Sequence, residues 1–355
     1  MRKFSNPNRF DTGRPVQKPG KERMCLRKFI KVIAIFIVAT TMCSCTFRSE
    51  ATIADEIKEP IMVPTEVSTG VTPVEPPTGW FSDENGKYYI AEENGEKITG
   101  FYEVEGETYY FLESGYLHTG WLEEDEKKYY FQEDGAMAKG IISIDDKNYH
   151  FASNGEYVVV VNPWNYVPED YDSNLVKLST EIATTGSYGN ADCVEDLEAM
   201  ITDANKYSGA TVYIVSAYRD VNHQTRNFNN KIKYFQNQGY GYETAKTKAA
   251  QIIAIPGTSE HHLGLAFDII DTRDWSLEER QENYAGQQWL MDNCWKYGFI
   301  LRYPKNKTDV TGIIYEPWHY RYVGKELSKE LHECGLTLEE YFAYLTVQTT
   351  DKEAK

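Results

Sequence analysis

Cysteine is scarce in this chain, at six of 355 residues, and long apolar runs are scarcer still. So few cysteines exclude a small scaffold that is held together by disulfides. The one strongly apolar stretch, residues 32–45, falls short of the roughly 20 apolar residues that a membrane-spanning helix needs. A membrane transporter is therefore excluded, and a hydrophobic content of 41% excludes wholesale disorder.

Basic residues are few outside the N-terminal segment. Residues 1–31 carry ten Lys or Arg and two Asp or Glu, whereas residues 46–355 carry 27 and 52. The main body therefore has a formal net charge of −25 and repels nucleic acid, which we exclude as a partner.

The apolar stretch follows Arg27, Lys28 and Lys31, which is the arrangement of a secretory signal peptide. Ser44 before Cys45 resembles the small residue that precedes the lipidated cysteine of bacterial lipoproteins. We therefore expect residues 1–45 to be a lipoprotein signal, with Met24 as an alternative start and a lipid anchor to the membrane on Cys45. The alternative is an uncleaved signal anchor. Both place the body outside the cytoplasm.

Residues 46–77 are rich in Thr, Glu, Pro and Val. Such a composition cannot bury a core, so it predicts an extended linker between the membrane and the folded part.

Four copies of a short unit fill residues 78–157. Each copy begins with glycine and a large apolar residue, continues with an aromatic pair and ends with a second glycine. The starting pairs, spaced by 21, 20 and 20 residues, are Gly79-Trp80, Gly100-Phe101, Gly120-Trp121 and Gly140-Ile141. The alternation of aromatic strands with glycine turns predicts a solenoid of β-hairpins.

These units resemble the cell-wall-binding repeats of surface proteins from Gram-positive bacteria. The resemblance implies that they bind a cell-wall glycan or a teichoic polymer. Choline binders of this superfamily cage the ligand with aromatics, one of which precedes the tyrosine pair. This chain has Lys87, Thr108, Lys128 and Asn148 at that place. We therefore expect a ligand other than choline; alternatively, the aromatic residues only fill the hairpin core.

Residues 158–345 mix helices with non-repeating strands, which predicts an α+β domain with a small antiparallel sheet. Thr337 and Glu340 form a capping box that begins a last helix to about Leu345, and residues 346–355 are interpreted as a C-terminal tail. The other predicted helices cover 193–204, 224–235, 242–254 and 287–297, and the predicted strands cover 211–217, 265–270, 299–303 and 313–322.

Chemistry-bearing residues concentrate in three segments of this domain: Ser259 to Asp268, Glu316 to His319, and Tyr213 to Arg219. Two histidines and one carboxylate on zinc leave the fourth position open for water, which is typical of a catalytic zinc site. The spacing alone does not choose between His261 and His262. A regular strand would place His262 on the same face as Asp268.

The pattern Ser-x-His-x-x-Gly-x-Ala-x-Asp, then Glu-x-x-His, with Ser216-Ala-Tyr-Arg219 upstream, resembles VanY-type zinc D-alanyl-D-alanine carboxypeptidases of the LAS metallopeptidase group. The resemblance implies that His261, Asp268 and His319 bind Zn²⁺ in a cleft and that Glu316 is the general base. It further implies that Arg219, Gln224 and Ser259 contact the peptide, with Arg219 also stabilising the oxyanion. A surface ion pair is the alternative role for Arg219.

The predicted activity is removal of the C-terminal D-Ala from peptidoglycan stem peptides at the wall of a Gram-positive bacterium. One alternative is an L,D-carboxypeptidase that acts on the tetrapeptide stem. Another is an inactive wall-binding surface protein. A thiol peptidase is not expected, because it needs a partner histidine that the zinc site already uses. The remaining histidines match no ligand position and are interpreted as solvent-facing or structural: His118, His150, His223 and His332.

Overall fold

A computed structural model describes residues 78–92 and 95–353 of the chain. The predicted lipoprotein signal with Cys45, and the predicted linker, lie outside these residues. Within the described part, no helix combines the length and the hydropathy needed to cross a bilayer.

The repeats form four antiparallel hairpins, as predicted. Main-chain amides of Leu117, Met137 and Tyr157 donate to carbonyl oxygens in the preceding unit at 2.7–2.8 Å, which joins the hairpins into a solenoid. The strand pairs are β1 (Gly79–Asp83) with β2 (Gly86–Ile90), β3 (Gly100–Val104) with β4 (Glu107–Phe111), β5 (Gly120–Glu124) with β6 (Lys127–Phe131) and β7 (Gly140–Ile144) with β8 (Lys147–Phe151).

Turn chemistry fixes the register of these hairpins. Asp125 and Glu126 both have positive φ, 50° and 63°, and they join Glu124 to its partner Lys127. This is the two-residue turn whose twist matches that of the strands. The closing glycine of each later unit is equally specific. A Cβ on Gly135 (φ 89°) would lie 2.5 Å from the Leu117 side chain of the neighbouring unit.

Aromatic rings pack from each hairpin to the next. Trp80 lies across from Tyr89 in its own hairpin and contacts Tyr109 of the second unit, with ring centroids 5.2 and 4.9 Å apart. Phe101 and Trp121 repeat this arrangement in the second and third units. The aromatic pattern therefore stabilises contacts between neighbouring units.

The α+β domain contains a four-stranded antiparallel sheet in the order β11-β12-β14-β13, and a separate pair of strands β9-β10. Their bounds are β9 (Leu175–Lys177), β10 (Tyr188–Asn190), β11 (Val212–Ser216), β12 (Ala266–Asp271), β13 (Phe299–Leu301) and β14 (His319–Tyr322). The α-helices are α1 (Ala191–Ser208), α2 (Val221–Asn237), α3 (Tyr242–Ala250), α4 (Ala285–Asn293), α5 (Thr308–Thr311), α6 (Lys325–Cys334) and α7 (Leu338–Glu353).

The main hydrophobic core of this domain lies between the sheet and helices α1 and α4. Every residue of β12 is buried, so this strand runs through the middle of the domain. A second cluster joins α6 and α7 to Val160 and, at its edge, to Ile141 of the fourth hairpin. The last repeat therefore packs directly on the α+β domain.

Several predicted bounds were wrong. The predicted strand 313–322 is a strand only from His319, because the chain before it turns at Pro317. Helix α3 ends at Ala250, before the β-branched Ile252 and Ile253. Helix α7 runs past Leu345 to Glu353, and its residue Thr346 contacts the fourth hairpin. Helix α6 and strands β9 and β10 were not predicted.

The capping box was predicted correctly. The Thr337 main-chain amide donates to Glu340 Oε2 at 3.0 Å, and the Glu340 amide donates to Thr337 Oγ1 at 3.3 Å. Helix α1 was predicted over 193–204; it is present but runs from Ala191 to Ser208, and Gly209 caps it with a left-handed φ of 65°.

Candidate active site

A cavity of about 360 Å³ opens at the four-stranded sheet of the α+β domain. Asp268 and His319 face it from the two central strands, while His261, Glu316 and Arg219 reach it from connecting segments. The opposite wall comes from one face of α2, with His223, Asn227 and Lys231 at intervals of four residues. The three sequence segments that carry the predicted chemistry therefore meet in one cleft.

Strand pairing brings the first two candidate ligands together. Asp268 on β12 is the register partner of His319 on β14, and its Oδ1 lies 3.1 Å from His319 Nδ1. His261 completes the group, with Nε2 at 3.4 Å from Asp268 Oδ2. One ligand atom from each of the three residues lies within 4.8 Å of the others, and all three side chains are buried.

The backbone explains why His261, rather than His262, joins the group. Residues Glu260–Leu263 form a 3-10 helix that ends at Gly264 with φ of 71°, so strand parity does not apply there. His261 Nδ1 lies 2.7 Å from the carbonyl oxygen of Ala217, which can only accept, so Nδ1 carries the proton. The lone pair of Nε2 is left free, and Nε2 has no hydrogen-bond partner among the described residues. His262 instead bonds the carbonyl oxygen of Arg219 at 2.6 Å.

Glu316 reaches the same cleft because the chain bends at Pro317. Its Oε2 lies 3.6 Å from His319 Nδ1, although three residues along a straight strand would face opposite sides. The His319 amide donates to the Glu316 carbonyl at 3.3 Å, which holds the bend. Pro317 therefore supplies the break in the strand that lets Glu316 and His319 face one cleft.

Burial sets the electrostatics of this group. Desolvation raises the pKa of Glu316 to about 8 and, together with Arg219, lowers the pKa of His261 to about 4. Burial also opposes protonation of His319, but Asp268 and Glu260 outweigh it and raise its pKa to about 9. A proton on His319 thus balances the surrounding carboxylates. A divalent cation would compete with that proton for the same lone pair.

The donor set fits a divalent metal ion. An unpaired buried imidazole nitrogen, a second imidazole and a carboxylate converge, which is a ligand set of catalytic zinc sites.

The three predicted peptide-contacting residues have different surroundings. Arg219 lies at the cavity with Nη2 at 3.8 Å from Asp268 Oδ2, and its Nε is buried without a hydrogen bond. Ser259 also lines the cavity. Gln224 is fully buried on α2, where its Nε2 donates to the carbonyl oxygen of Ala254 at 2.6 Å. Gln224 is not among the residues that line the cavity, so the structure places it behind the wall instead.

Sequence reasoning missed other residues of the site. His223 is exposed, as expected, but it lines the cavity together with Lys231 and Tyr303. Glu260, adjacent to His261, lies fully buried against His319. Only its place beside a candidate ligand pointed to it. His150, in contrast, is a buried structural residue that packs on Phe342, with the two ring centroids 5.1 Å apart.

The cysteines that the structure describes as free take no part in the site. Cys193 and Cys294 are buried, and burial raises the pKa of each thiol to about 12. Neither of these two thiols lines the cavity.

Comparison with known proteins assigns both regions. The VanY D-alanyl-D-alanine carboxypeptidase family model matches residues 187–325. Choline-binding repeat models match residues 98–139 and 118–164, and a cell wall binding repeat model matches residues 78–97. VanXYC of Enterococcus gallinarum, a bifunctional D-Ala-D-Ala dipeptidase and D-Ala-D-Ala carboxypeptidase, is 37% identical over 143 residues, which are 38% of this chain and 67% of that protein.

The chain belongs to the VanY family. A D-alanyl-D-alanine carboxypeptidase of Enterococcus faecalis is 38% identical over 184 residues, which are 52% of this chain and 65% of that relative. The chain therefore spans less than two thirds of the length of this relative. A solved structure of VanYB in complex with D-alanine-D-alanine is 36% identical over 52% of this chain and 96% of that one, with a TM-score of 0.47. The predicted family, with its wall-binding repeats and its α+β fold, is confirmed.

Proposed function

We propose that this VanY-family chain is a zinc-dependent D-alanyl-D-alanine carboxypeptidase, which removes the C-terminal D-Ala from peptidoglycan stem peptides. The observation that carries the proposal is the convergence of His261, Asp268 and His319 in one buried cleft beside Glu316. Family membership supports the choice of substrate.

His261, Asp268 and His319 would hold the zinc ion. His261 presents Nε2, because its Nδ1 is committed to Ala217, and His319 presents Nδ1, which faces Asp268. When bound, zinc supplies Lewis-acid chemistry, since it polarises a carbonyl oxygen and lowers the pKa of an attacking water.

Glu316 is the proposed general base. Burial raises its pKa to about 8, although nearby His319 acts in the opposite direction, and this raised proton affinity suits a carboxylate that takes a proton from the attacking water. The oxygen of that water bonds to the scissile carbonyl carbon. Glu316 then returns the proton to the nitrogen of the leaving D-alanine as the C–N bond breaks. The products are a shortened peptide carboxylate and free D-alanine.

Arg219 and Ser259 are the proposed substrate contacts. The Arg219 guanidinium offers a fixed fork of donors to a peptide carboxylate or to the developing oxyanion. Ser259 lines the cavity beside the candidate ligands, where its hydroxyl can seat the peptide. Gln224 acts from behind the wall in this proposal, since its amide holds Ala254 of the lining.

The repeats are proposed to hold the enzyme on wall polymer. Residues 78–157 contain 18 Asp or Glu and 6 Lys or Arg, so this region repels a polyphosphate chain and favours a neutral or cationic polymer. Of the two ligands expected from the sequence, a wall glycan is therefore favoured over an unmodified teichoic backbone by the negative charge of the repeats. A lipid on Cys45 would tether the same enzyme to the outer face of the membrane.

Mass spectrometry of stem pentapeptide and tetrapeptide after incubation with the zinc-loaded chain tests the activity. The proposal expects loss of one D-Ala from the pentapeptide, prevented by a chelator and restored by zinc. The matched control is Glu316→Gln. Conversion of tetrapeptide alone would instead establish the L,D-carboxypeptidase, and one zinc per chain with neither conversion would favour the inactive wall-binding protein.

A further inference from the structure

Glu260 is a fully buried carboxylate that the proposed chemistry does not use. It lies in the 3-10 helix beside His261, and its pKa is held below the usual range because Arg302 and Arg321 outweigh the effect of burial. Its Oε1 accepts a hydrogen bond from Arg302 Nε at 2.7 Å, and Arg321 Nη1 lies 3.1 Å from the same oxygen. One oxygen of Glu260 is therefore committed to two guanidinium groups.

The other oxygen faces His319. Glu260 Oε2 lies 3.5 Å from His319 Nε2, and both atoms are buried without a hydrogen bond to any other described group. An unpaired buried donor or acceptor is costly, so each of these atoms is the natural partner of the other.

The two candidate histidine ligands present opposite nitrogens. His261 turns Nε2 toward Asp268 and donates Nδ1–H to the carbonyl oxygen of Ala217. His319 turns Nδ1 toward Asp268, so its Nε2 must carry the proton if Nδ1 is to bind a metal. Ala217 fixes the proton on His261, and Glu260 is the only described group placed to do so on His319.

We propose that Glu260 is a positioning residue, which accepts the Nε2 proton of His319 and thereby keeps the Nδ1 lone pair directed into the metal site. This inference rests on the proposed zinc site. A carboxylate on the outer nitrogen of a histidine ligand also increases the basicity of the ligand, and its loss typically lowers metal affinity by about 10–100-fold.

The surroundings of Glu260 hold it rigidly. Arg302 makes a second, bidentate contact with Glu339 at the start of α7, and Glu339 accepts from Asn162 Nδ2 at 3.1 Å. Arg321 donates through Nη2 to the carbonyl oxygen of Val159 at 2.9 Å. Val159 and Asn162 lie in the segment that follows the last hairpin. The orientation of His319 thus depends on contacts made where the repeats join the α+β domain.

Glu260→Gln tests the proposal by geometry. Both arginines can only donate, so the amide oxygen must stay on their side and the amide NH₂ must face His319 Nε2. Nε2 would then have to accept, which moves the ring proton to Nδ1 and blocks the lone pair. We expect the zinc dissociation constant, measured by chelator competition, to rise about 10–100-fold.

Glu339→Gln is the matched control, because Glu339 is a half-buried carboxylate that also pairs with Arg302 but does not contact His319. Thermal unfolding of the zinc-free forms should show a loss of stability in both variants, whereas zinc affinity should fall only in Glu260→Gln. Equal zinc affinity in Glu260→Gln and the unsubstituted chain would overturn the inference, and so would an equal loss in both variants.

The unsubstituted zinc-loaded chain provides a second test, which remains possible even if the Glu260→Gln variant does not fold. Long-range ¹H–¹⁵N spectra of the histidine-labelled protein should show His319 protonated at Nε2 and unprotonated at Nδ1. A proton on Nδ1 overturns the inference. If the unsubstituted chain binds no zinc at all, the proposed function itself fails, so the two failures are distinguishable.

Discussion

The repeats and the α+β domain are both stable because of their interiors, but these interiors differ in chemistry. In the repeats the largest buried side chains are Phe111, Phe131 and Phe151, one for each hairpin junction. In the α+β domain the largest are Arg302 and Arg321, which surround a buried glutamate. Ring packing between neighbours is local and periodic, whereas a buried charge network needs every partner in place. A substitution in one repeat should therefore disturb only the neighbouring units, whereas a substitution near the cleft should affect the whole charge network.

The two regions meet at the fourth hairpin, where the aromatic pattern stops. Ile141 and His150 occupy the positions of Trp121 and Tyr130 in the unit before. These residues contact helix α7 instead of a fifth hairpin, since His150 packs on Phe342 and the Ile141 amide donates to Thr346 Oγ1 at 2.8 Å. The last repeat is thus adapted to cap the α+β domain.

The largest effects should come from Glu316 and His319, which lie three residues apart but have different proposed roles. Glu316→Gln keeps the size of the side chain and all three ligands, so zinc should stay near one per chain while turnover falls about 100-fold or more. His319→Ala should lose both zinc and activity. Metal analysis and peptide turnover on the same samples check this. A Glu316→Gln variant that loses its zinc, or keeps its turnover, would rule out Glu316 as the base.

Arg219 should have the next largest effect. Arg219→Met removes the guanidinium beside Asp268, and loss of one oxyanion donor typically lowers kcat about 10²–10³-fold. Arg219→Lys keeps the positive charge but lacks the planar pair of donors of a guanidinium, so it should recover little of the lost kcat. Steady-state kinetics of the three forms, with zinc content as the control, measure this. Unchanged kcat in Arg219→Met would favour the alternative of a simple ion pair.

Much of this fold could be predicted because its signals are local. The hairpin repeats are set by glycines and aromatic residues within units of about 20 residues, and the capping box joins Thr337 to Glu340, three residues on. The short 3-10 helix that selects His261 over His262 is not visible in residue spacing, because it depends on the contacts of His261 with Ala217 and of His262 with Arg219. The family pattern supplied that choice.

The parts that the sequence did not predict depend on long-range contacts. Helix α7 continues to Glu353 with Thr346 hydrogen-bonded to the fourth hairpin, about 200 residues earlier in the chain. Glu260 was overlooked for the same reason, since Arg302 and Arg321 are distant in sequence. A charge that would ordinarily stay in water reveals its role only when its partners are known.

Deleting repeats should show which of them stabilise the α+β domain. Removing residues 78–137 leaves the fourth hairpin on α7, so the thermal midpoint of the α+β domain should fall only slightly. Removing residues 78–157 also exposes the α7 surface and breaks the bonds from Ser153 and Asn154 to Glu330 and Glu326. We expect a fall of about 5–10 °C, from roughly 2–3 kcal/mol of lost burial in a domain of this size. Equal midpoints for the two deletions would contradict the capping role.

His150 should make the junction sensitive to acid. Burial lowers its pKa to about 4 from the ordinary 6.5, although nearby Glu339 acts in the opposite direction. The folded protein therefore prefers neutral His150, and this contribution is complete above pH 6.5 and lost as the pH falls toward 4. At about 1.4 kcal/mol per pKa unit, the loss is up to about 3 kcal/mol. Chemical unfolding of the zinc-free chain and of His150→Gln at pH 7 and pH 5 measures it. Between pH 7 and pH 5, the variant should lose less unfolding free energy than the unsubstituted chain. Identical losses in the two proteins would show that His150 is not the group responsible.

The smallest expected effect concerns choline. We expect choline to have no effect on wall binding by the repeats. A choline cage needs several open ring faces around one quaternary ammonium. In the first unit Lys87, which stands where choline binders have an aromatic residue, places its Nζ 4.1 Å from the centre of the Trp80 ring. The later units have Thr108, Lys128 and Asn148 at the same place, so they also lack this wall of the cage. A fragment of residues 78–157 that sediments with cell walls should remain bound in millimolar choline, with a choline-binding repeat protein as the positive control. Elution of the fragment would show that the remaining rings form a working cage, and it would replace wall glycan with choline as the ligand of the repeats.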